Sequence, residues 1–190
     1  MQKLLIISLR YTLVTTLLLG LGYPMLVTLI AQHVWKNQAN GELIVQNGTL
    51  VGSHWIGQPF SGPSYFHSRP SAAGNGYDAT ASGGSNWSPS SQKLVDRISA
   101  SVKNEQTDAA GGPVPIDLVT ASGSGLDPDI TPAAAEYQAS RVALARGLPL
   151  NQVEALIQKN VTEREFGLLG ERRVNVLQLN LALDQMQAHP

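Results

Sequence analysis

From Tyr11 to Trp35 the chain runs 25 residues without Asp, Glu, Lys or Arg, and Leu, Val and Thr dominate the stretch. A helix rising about 1.5 Å per residue over that length exceeds the roughly 30 Å hydrocarbon core of a bilayer, so the pattern predicts one transmembrane helix over 11–35. Gly20, Gly22 and Pro24 lie inside it. They weaken a soluble helix, but a membrane tolerates them where a neighbouring helix packs closely and the carbonyl freed by Pro finds a partner. A kink at these three residues, facing and packing on a partner helix, is the expectation. An apolar run this long exceeds a signal-peptide core, and no Ala-x-Ala cleavage site follows it, so the span is expected to be retained.

Beyond the span the rhythm changes to short apolar runs. Leu43-Ile44-Val45 and Leu50-Val51 flank Asn47-Gly48, a pair that accepts the positive φ angles of a tight hairpin turn. Residues 40–92 then hold nine Gly, four Pro and ten Ser but only three charges, Glu42, Arg69 and Asp78. Such composition suggests a disordered linker. The same stretch, however, carries six of the chain's eleven aromatic residues, whereas disordered segments are poor in aromatics and rich in charge. An ordered, loop-rich surface is the expectation.

Helical spacing returns after Ser88-Pro89, with Leu94, Val95, Ile98 and Val102 on one face and Gly111-Gly112-Pro113 as the stop. Pro115 to Val119 reads as a strand leading into the turn Ala121 to Asp129. Thr131-Pro132 opens a helix that ends at Gly147, and Asn151 with Glu154 forms a capping-box variant before the next one. A last amphipathic helix starts near Asn175. Strands and helices alternate without a repeated βαβ period, which predicts an α+β domain over 36–190 behind a short N-terminal segment (1–10) and the span.

Charge orients this arrangement. The net charge is −1, yet residues 1–36 contain Lys3, Arg10 and Lys36 and no acid, leaving −4 on the rest. Two basic residues before the span and one after it place the N-terminus in the cytoplasm and the domain outside. No basic field exists to bind nucleic acid without sequence preference. Cysteine is absent, which removes disulfides, thiolate nucleophiles and Cys-ligated metal centres.

Candidate chemistry is sparse. Ser122, Gly123, Ser124, Gly125 and Asp127 form a Gly-rich turn, but the spacing is not Gly-x-Ser-x-Gly and the only later histidine is His189. The turn is expected to act through backbone geometry, with Gly123 supplying positive φ and Asp127 capping the following helix. Asp127 and Asp129 lack the further oxygens of a calcium loop. His33, His54, His67 and His189 have no metal-ligand spacing. There is no phosphate-binding Gly-x-x-x-x-Gly-Lys loop, no Asp-Lys-Thr-Gly phosphorylation run and no Thr-Val-Gly-Tyr-Gly filter, so this chain is expected neither to hydrolyse ATP nor to conduct ions alone.

Several blocks carry a family resemblance. Gly57-Gln58-Pro59-Phe60, Tyr65 through Ala72 (Tyr-Phe-His-Ser-Arg-Pro-Ser-Ala), Ala81 through Asn86, Leu118 through Asp127, Ile130-Thr131-Pro132 and Val174 through Asp184 arrive in one order. Together they resemble the KdpC family, the C subunit of the potassium-transporting Kdp P-type ATPase. The resemblance implies a single-pass subunit of the bacterial inner membrane with a periplasmic domain. Its implied partners are a channel-like A subunit that carries potassium, a P-type B subunit that hydrolyses ATP and a small F subunit. It further implies an accessory role, in which the C subunit supports assembly and acts as a catalytic chaperone that raises the ATP affinity of the B subunit. No cofactor is implied for this chain itself; ATP, Mg and potassium are handled by the partners.

Within that frame the aromatic loop becomes the expected docking surface on the external face of the A subunit, through Trp55, Tyr65, Phe66, Arg69, Tyr77 and Trp87, with Phe66 and Arg69 as anchors. Two other classes remain open from the residues themselves. One is a membrane-anchored periplasmic hydrolase using Ser124 or Asp127, and the other is an anchored sensor or ligand-binding module.

Overall fold

A computed structural model describes residues 1–108 and 112–188; the stop signal at Gly111 and His189 lie outside the described residues. The chain forms two compact units, 1–50 and 51–190. In the first, helix α1 (Gln2–Thr15), a π-helical stretch (Thr16–Gly22) and helix α2 (Tyr23–Val34) run continuously. Over Gln2–Val34 this is, among the described residues, the one helix long and apolar enough to cross a membrane. Helix therefore begins nine residues before the charge-free run, because Arg10 and Lys3 are good helix formers and nothing upstream of Tyr11 breaks the turn.

Gly20 and Gly22 lie in the π stretch and Pro24 just after it. The Tyr23 N–H reaches back five residues to the Leu18 carbonyl. A widened turn of this kind gives the Pro24 ring room that a regular α-turn denies it. Trp35, at φ −128°, ends the helix, and a short turn of helix, α3 (Lys36–Ala39), follows.

Strands β1 (Leu43–Gln46) and β2 (Thr49–Ser53) form a two-stranded sheet, with Asn47 and Gly48 at φ 50° and 79° as the turn sequence requires. The second unit is built around helices α5 (Pro132–Arg146), α6 (Leu150–Lys159) and α7 (Val176–Ala188). Ala134, Ala135, Ala139, Val142 and Ala143 line the buried face of α5, while Val153 and Ile157 of α6 and Leu179 and Leu183 of α7 meet the same core. Alanine at the contact positions lets neighbouring backbones approach closely. A three-stranded antiparallel sheet, β3 (Asp129–Ile130), β5 (Arg173–Asn175) and β4 (Val161–Thr162), pairs Ile130 and Val161 with Val174.

Helix α5 starts where the sequence places it: Thr131 is the N-cap, its hydroxyl accepts from the Ala134 N–H, Pro132 occupies the first turn and Gly147 ends the helix at φ 66°. Other expectations are corrected. Ile116–Leu118 is a 3-10 turn, not a strand, because Pro115 starts it and Asp117 and Leu118 are both buried by the turn. Helix α4 (Gln92–Asp108) begins three residues past Pro89, since the Ser88 hydroxyl accepts from the Ser90 N–H and closes a local turn instead. Helix α6 begins at Leu150 behind Pro149, with no side-chain cap; Asn151 lies inside the helix.

Candidate functional site

The loop-rich stretch is ordered by side chains of the helices behind it. The Phe66 N–H donates to Oδ1 of Asn180 at 2.9 Å, and Nδ2 of Asn180 donates to the Phe66 carbonyl at 3.0 Å. One residue on, the His67 N–H donates to Oε1 of Gln138 at 2.8 Å, and Gln138 Nε2 returns a bond to the His67 carbonyl. Each amide supplies one donor and one acceptor, so it mimics a strand neighbour for an extended backbone that has none. Arg141 Nη1 collects the carbonyls of Pro63 and Tyr65, and Arg146 Nε that of Ser64. Arg146 also pairs with Asp184 at 2.8 Å and stacks over the Tyr65 ring at 4.7 Å. Phe66 itself is 0% exposed, deep in the core, which corrects its assignment as a docking anchor: a side chain with no surface cannot meet a partner.

The Gly-rich turn is the hub for the rest of the loop. Ser122 Oγ accepts from the Gly125 N–H and Ser124 Oγ from the Leu126 N–H, at 2.9 and 3.1 Å. The Gly83 N–H donates to the Ser124 carbonyl and the Gly57 N–H to the Leu126 carbonyl, each at 2.8 Å. Ser71 Oγ donates to the Gly125 carbonyl while accepting from the Ala73 and Tyr77 N–H groups. Both serines are thus committed to turn geometry. Gly125, at φ 67°, is the glycine the turn requires: a Cβ there would lie 2.6 Å from the Gly83 carbonyl oxygen and 2.7 Å from the Ala73 nitrogen. Gly123 has open space around its missing Cβ and no positive φ, so the conformational role expected of it belongs to its neighbour two residues on.

Arg69 lies across this hub. Its Nη1 meets Asp127 Oδ2 at 3.1 Å and its Nη2 meets the Thr120 hydroxyl at 3.4 Å, so its guanidinium braces the turn from within the chain. Asp127 does not cap α5, because its other oxygen accepts from the Asp129 N–H. The carboxylate that serves the start of α5 is buried Asp117, whose Oδ2 accepts from the Thr131 N–H at 2.8 Å. Tyr77 sits at φ 56° with its N–H on Ser71 and its hydroxyl on the Arg69 carbonyl; burial pushes its phenol pKa up, with a hydrogen bond to Ser68 pulling the other way. Trp55 and Trp87 remain 55% and 40% exposed. His54 packs edge-on against Trp55 at 4.8 Å, and Arg97 covers one face of Trp87 at 5.2 Å.

A cleft of about 230 Å³ opens beside the hub, lined by Arg69, Asp117, Asp127, Asp129 and Arg173 among others. Arg69 pairs with Asp127 across it, while Asp117 is held by the Thr131 N–H. Asp129 accepts from Asn175 at 3.2 Å and pairs with Arg173 at 3.3 Å. Burial raises the Asp129 carboxyl above its ordinary range; the Asn175 bond lowers it, the Asp127 charge raises it further, and Arg173 and His54 lower it. Among the described residues no group of three or more His, Cys, Asp or Glu is placed to hold a metal ion. Gln138 and Asn180, which order the loop, escaped the sequence reading; a lone amide inside an apolar helix face, as in Leu179-Asn180-Leu181, was the available signal.

Residues 5–185 match the family described as "KdpC: K+-transporting ATPase, c chain". The chain belongs to the KdpC family. A protein named potassium-transporting ATPase KdpC subunit from Koribacter versatilis is 55% identical over 190 residues, covering 100% of this chain and 98% of its own. One of the same name from Acidobacterium capsulatum is 60% identical over 176 residues, covering 93% and 95%. A third, from Rhodospirillum rubrum, is 54% identical over 172 residues, covering 90% and 89%. The match spans both units, and the hydrogen-bonded hub falls inside it.

Proposed function

We propose that the chain is the accessory C subunit of an ATP-driven potassium-transporting complex. The observation that carries this reading is the extent of the family match, which includes the apolar helix as well as the folded unit. The helix anchors the subunit in the inner membrane with its N-terminus in the cytoplasm, and the second unit stands outside, as Lys3 and Arg10 before the span favour. The channel-like A subunit, the P-type B subunit and the small F subunit are its partners, and ATP, Mg and potassium are bound by them. Consistent with a non-catalytic role, the turn hydroxyls and the two turn carboxylates are held by partners within the fold.

In this reading the exposed aromatics Trp55 and Trp87 contact the external face of the A subunit. The chaperone effect on ATP affinity reaches the cytoplasmic B subunit through the spans, as a coupling between external contact and pump state. Affinity purification of a tagged full-length chain in detergent should recover the A, B and F subunits together. Complex rebuilt without the chain should need a higher ATP concentration for half-maximal potassium-stimulated hydrolysis. Failure of the tagged chain to bring down the other subunits overturns the subunit reading; an unchanged ATP dependence overturns the chaperone role alone.

A further inference from the structure

Between β4 and β5 the chain turns through Glu165-Phe166-Gly167-Leu168-Leu169-Gly170, and Phe166, Leu168 and Leu169 are 96%, 78% and 58% exposed. This is a built tip, since Glu165 and Leu169 exchange both N–H to carbonyl bonds at 2.9 Å and the Gly167 N–H closes onto the Arg164 carbonyl. Gly167 and Gly170 take φ 72° and 77°, but Phe166 takes φ 54°, a region where a bulky side chain is strained. The contrast with Tyr77 is informative. At φ 56° Tyr77 is held by hydrogen bonds at both ends, whereas the Phe166 ring gains almost nothing from its own fold. A strained backbone that presents three large apolar side chains to water is accounted for by something outside the chain.

The rim of the tip indicates what that is. Arg164 pairs with Glu171 at 2.6 Å, Arg172 with Glu163 at 2.9 Å, and Arg173 with Glu165 at 3.5 Å and Asp129 at 3.3 Å. Residues 163–173 thus carry three bases and three acids with no net charge. An anionic lipid surface is met by uncompensated Lys and Arg beside the apolar residues; here every guanidinium of the rim already faces a carboxylate. An apolar centre within a self-neutralised polar rim matches the anatomy of a protein interface. We propose that the Phe166–Leu169 tip is a plug that seats in an uncharged apolar cup on an extramembrane surface of another subunit of the potassium-transporting complex. The proposal rests on the subunit reading given above.

The test uses the full chain co-expressed with the A, B and F subunits. With Phe166, Leu168 and Leu169 all changed to Ser, the amount of complex retained through detergent washing should fall at least tenfold, while the melting temperature of the purified chain stays at the wild-type value. Phe166→Gly removes the ring and suits φ 54°, so it should fold at least as well as wild type and still weaken retention. A photoreactive p-benzoylphenylalanine at position 166 should crosslink to one protein subunit. Wild-type retention by the triple variant, a lowered melting temperature for Phe166→Gly, or crosslinks to lipid alone would each overturn the plug. If instead the wild-type chain recovers no partners, it is the subunit reading that fails.

Discussion

Gly125 and Gly123 differ by two positions and by everything that matters to a side chain. At Gly125 an added Cβ meets two backbone atoms, the Gly83 oxygen at 2.6 Å and the Ala73 nitrogen at 2.7 Å, on a residue at φ 67°. The left-handed conformation alone costs about 1–2 kcal/mol for an L-residue, and neither backbone neighbour can rotate away as a side chain would. Gly125→Ala should therefore lower the stability of the full chain by well over 1 kcal/mol, read as a shift in the circular dichroism melt in detergent, while Gly123→Ala stays within about 0.5 kcal/mol of wild type. Equal effects at the two positions would remove the special role of Gly125. Asp129 makes a second prediction at this scale. Burial, more than any other cause, raises its folded pKa above the ordinary 3.8, so the native state holds this proton more tightly than the unfolded chain does. The contribution is fully present below the ordinary carboxyl range and is lost as pH rises through the folded pKa. Relative to Asp129→Asn, wild type should lose melting temperature as pH is raised across the carboxyl range. The opposite slope would mean that the Arg173 pair, 3.3 Å away, outweighs burial.

At the scale of elements, the fastening of the loop to α5 and α7 depends on two amides. Asn180 and Gln138 are each 1% exposed. Asn180→Leu would leave the Phe66 N–H and C=O buried without partners, at about 1–3 kcal/mol for each group. A urea titration should find the variant destabilised by several kcal/mol, although Leu suits the apolar face of α7 better than Asn does. A stability equal to wild type would mean that water or a shifted backbone replaces the amide. This element also marks the limit of sequence reading. Helix α5 was legible because Thr131-Pro132 and Gly147 are local signals that act on their own backbone, and the hairpin because Asn47-Gly48 fixes its turn. The sheet β3-β5-β4 was not, since strands of two or three residues carry no alternation to detect, and Val174 is buried by pairing with segments distant in the chain. Pro115 to Val119 misled for a related reason: a short apolar run fits a buried strand or a single buried helical turn, and contacts made elsewhere decide between them. The Gly-rich turn was legible as a turn, but which glycine bears the positive φ depends on Gly83 and Ala73, which lie far upstream.

For the whole molecule, the question is which aromatics of the loop hold this fold together and which face outward to a partner. The sequence presented Trp55, Tyr65, Phe66, Tyr77 and Trp87 as one class, because composition reports that aromatics are anchored without saying to what. Burial divides them. Phe66 is 0% exposed beside Leu118, Leu179 and Leu183 in the core cluster, so Phe66→Ala should destabilise the full chain by about 3–5 kcal/mol. Trp55 and Trp87 keep 55% and 40% of their surface, so truncating either gives up only the packing of its covered part, with a cation–π contact to Arg97 lost besides at Trp87, worth about 0.5–1 kcal/mol at an exposed site. The double variant Trp55→Ala/Trp87→Ala should lose a few kcal/mol of stability, roughly what the covered parts of the two rings bury, yet co-purify with the other subunits far less than that loss explains and support less potassium-stimulated ATP hydrolysis. The decisive comparison is between the two effects in one preparation. Loss of assembly in proportion to loss of stability would assign these tryptophans to packing, and normal assembly of the double variant would overturn their proposed contact with the A subunit.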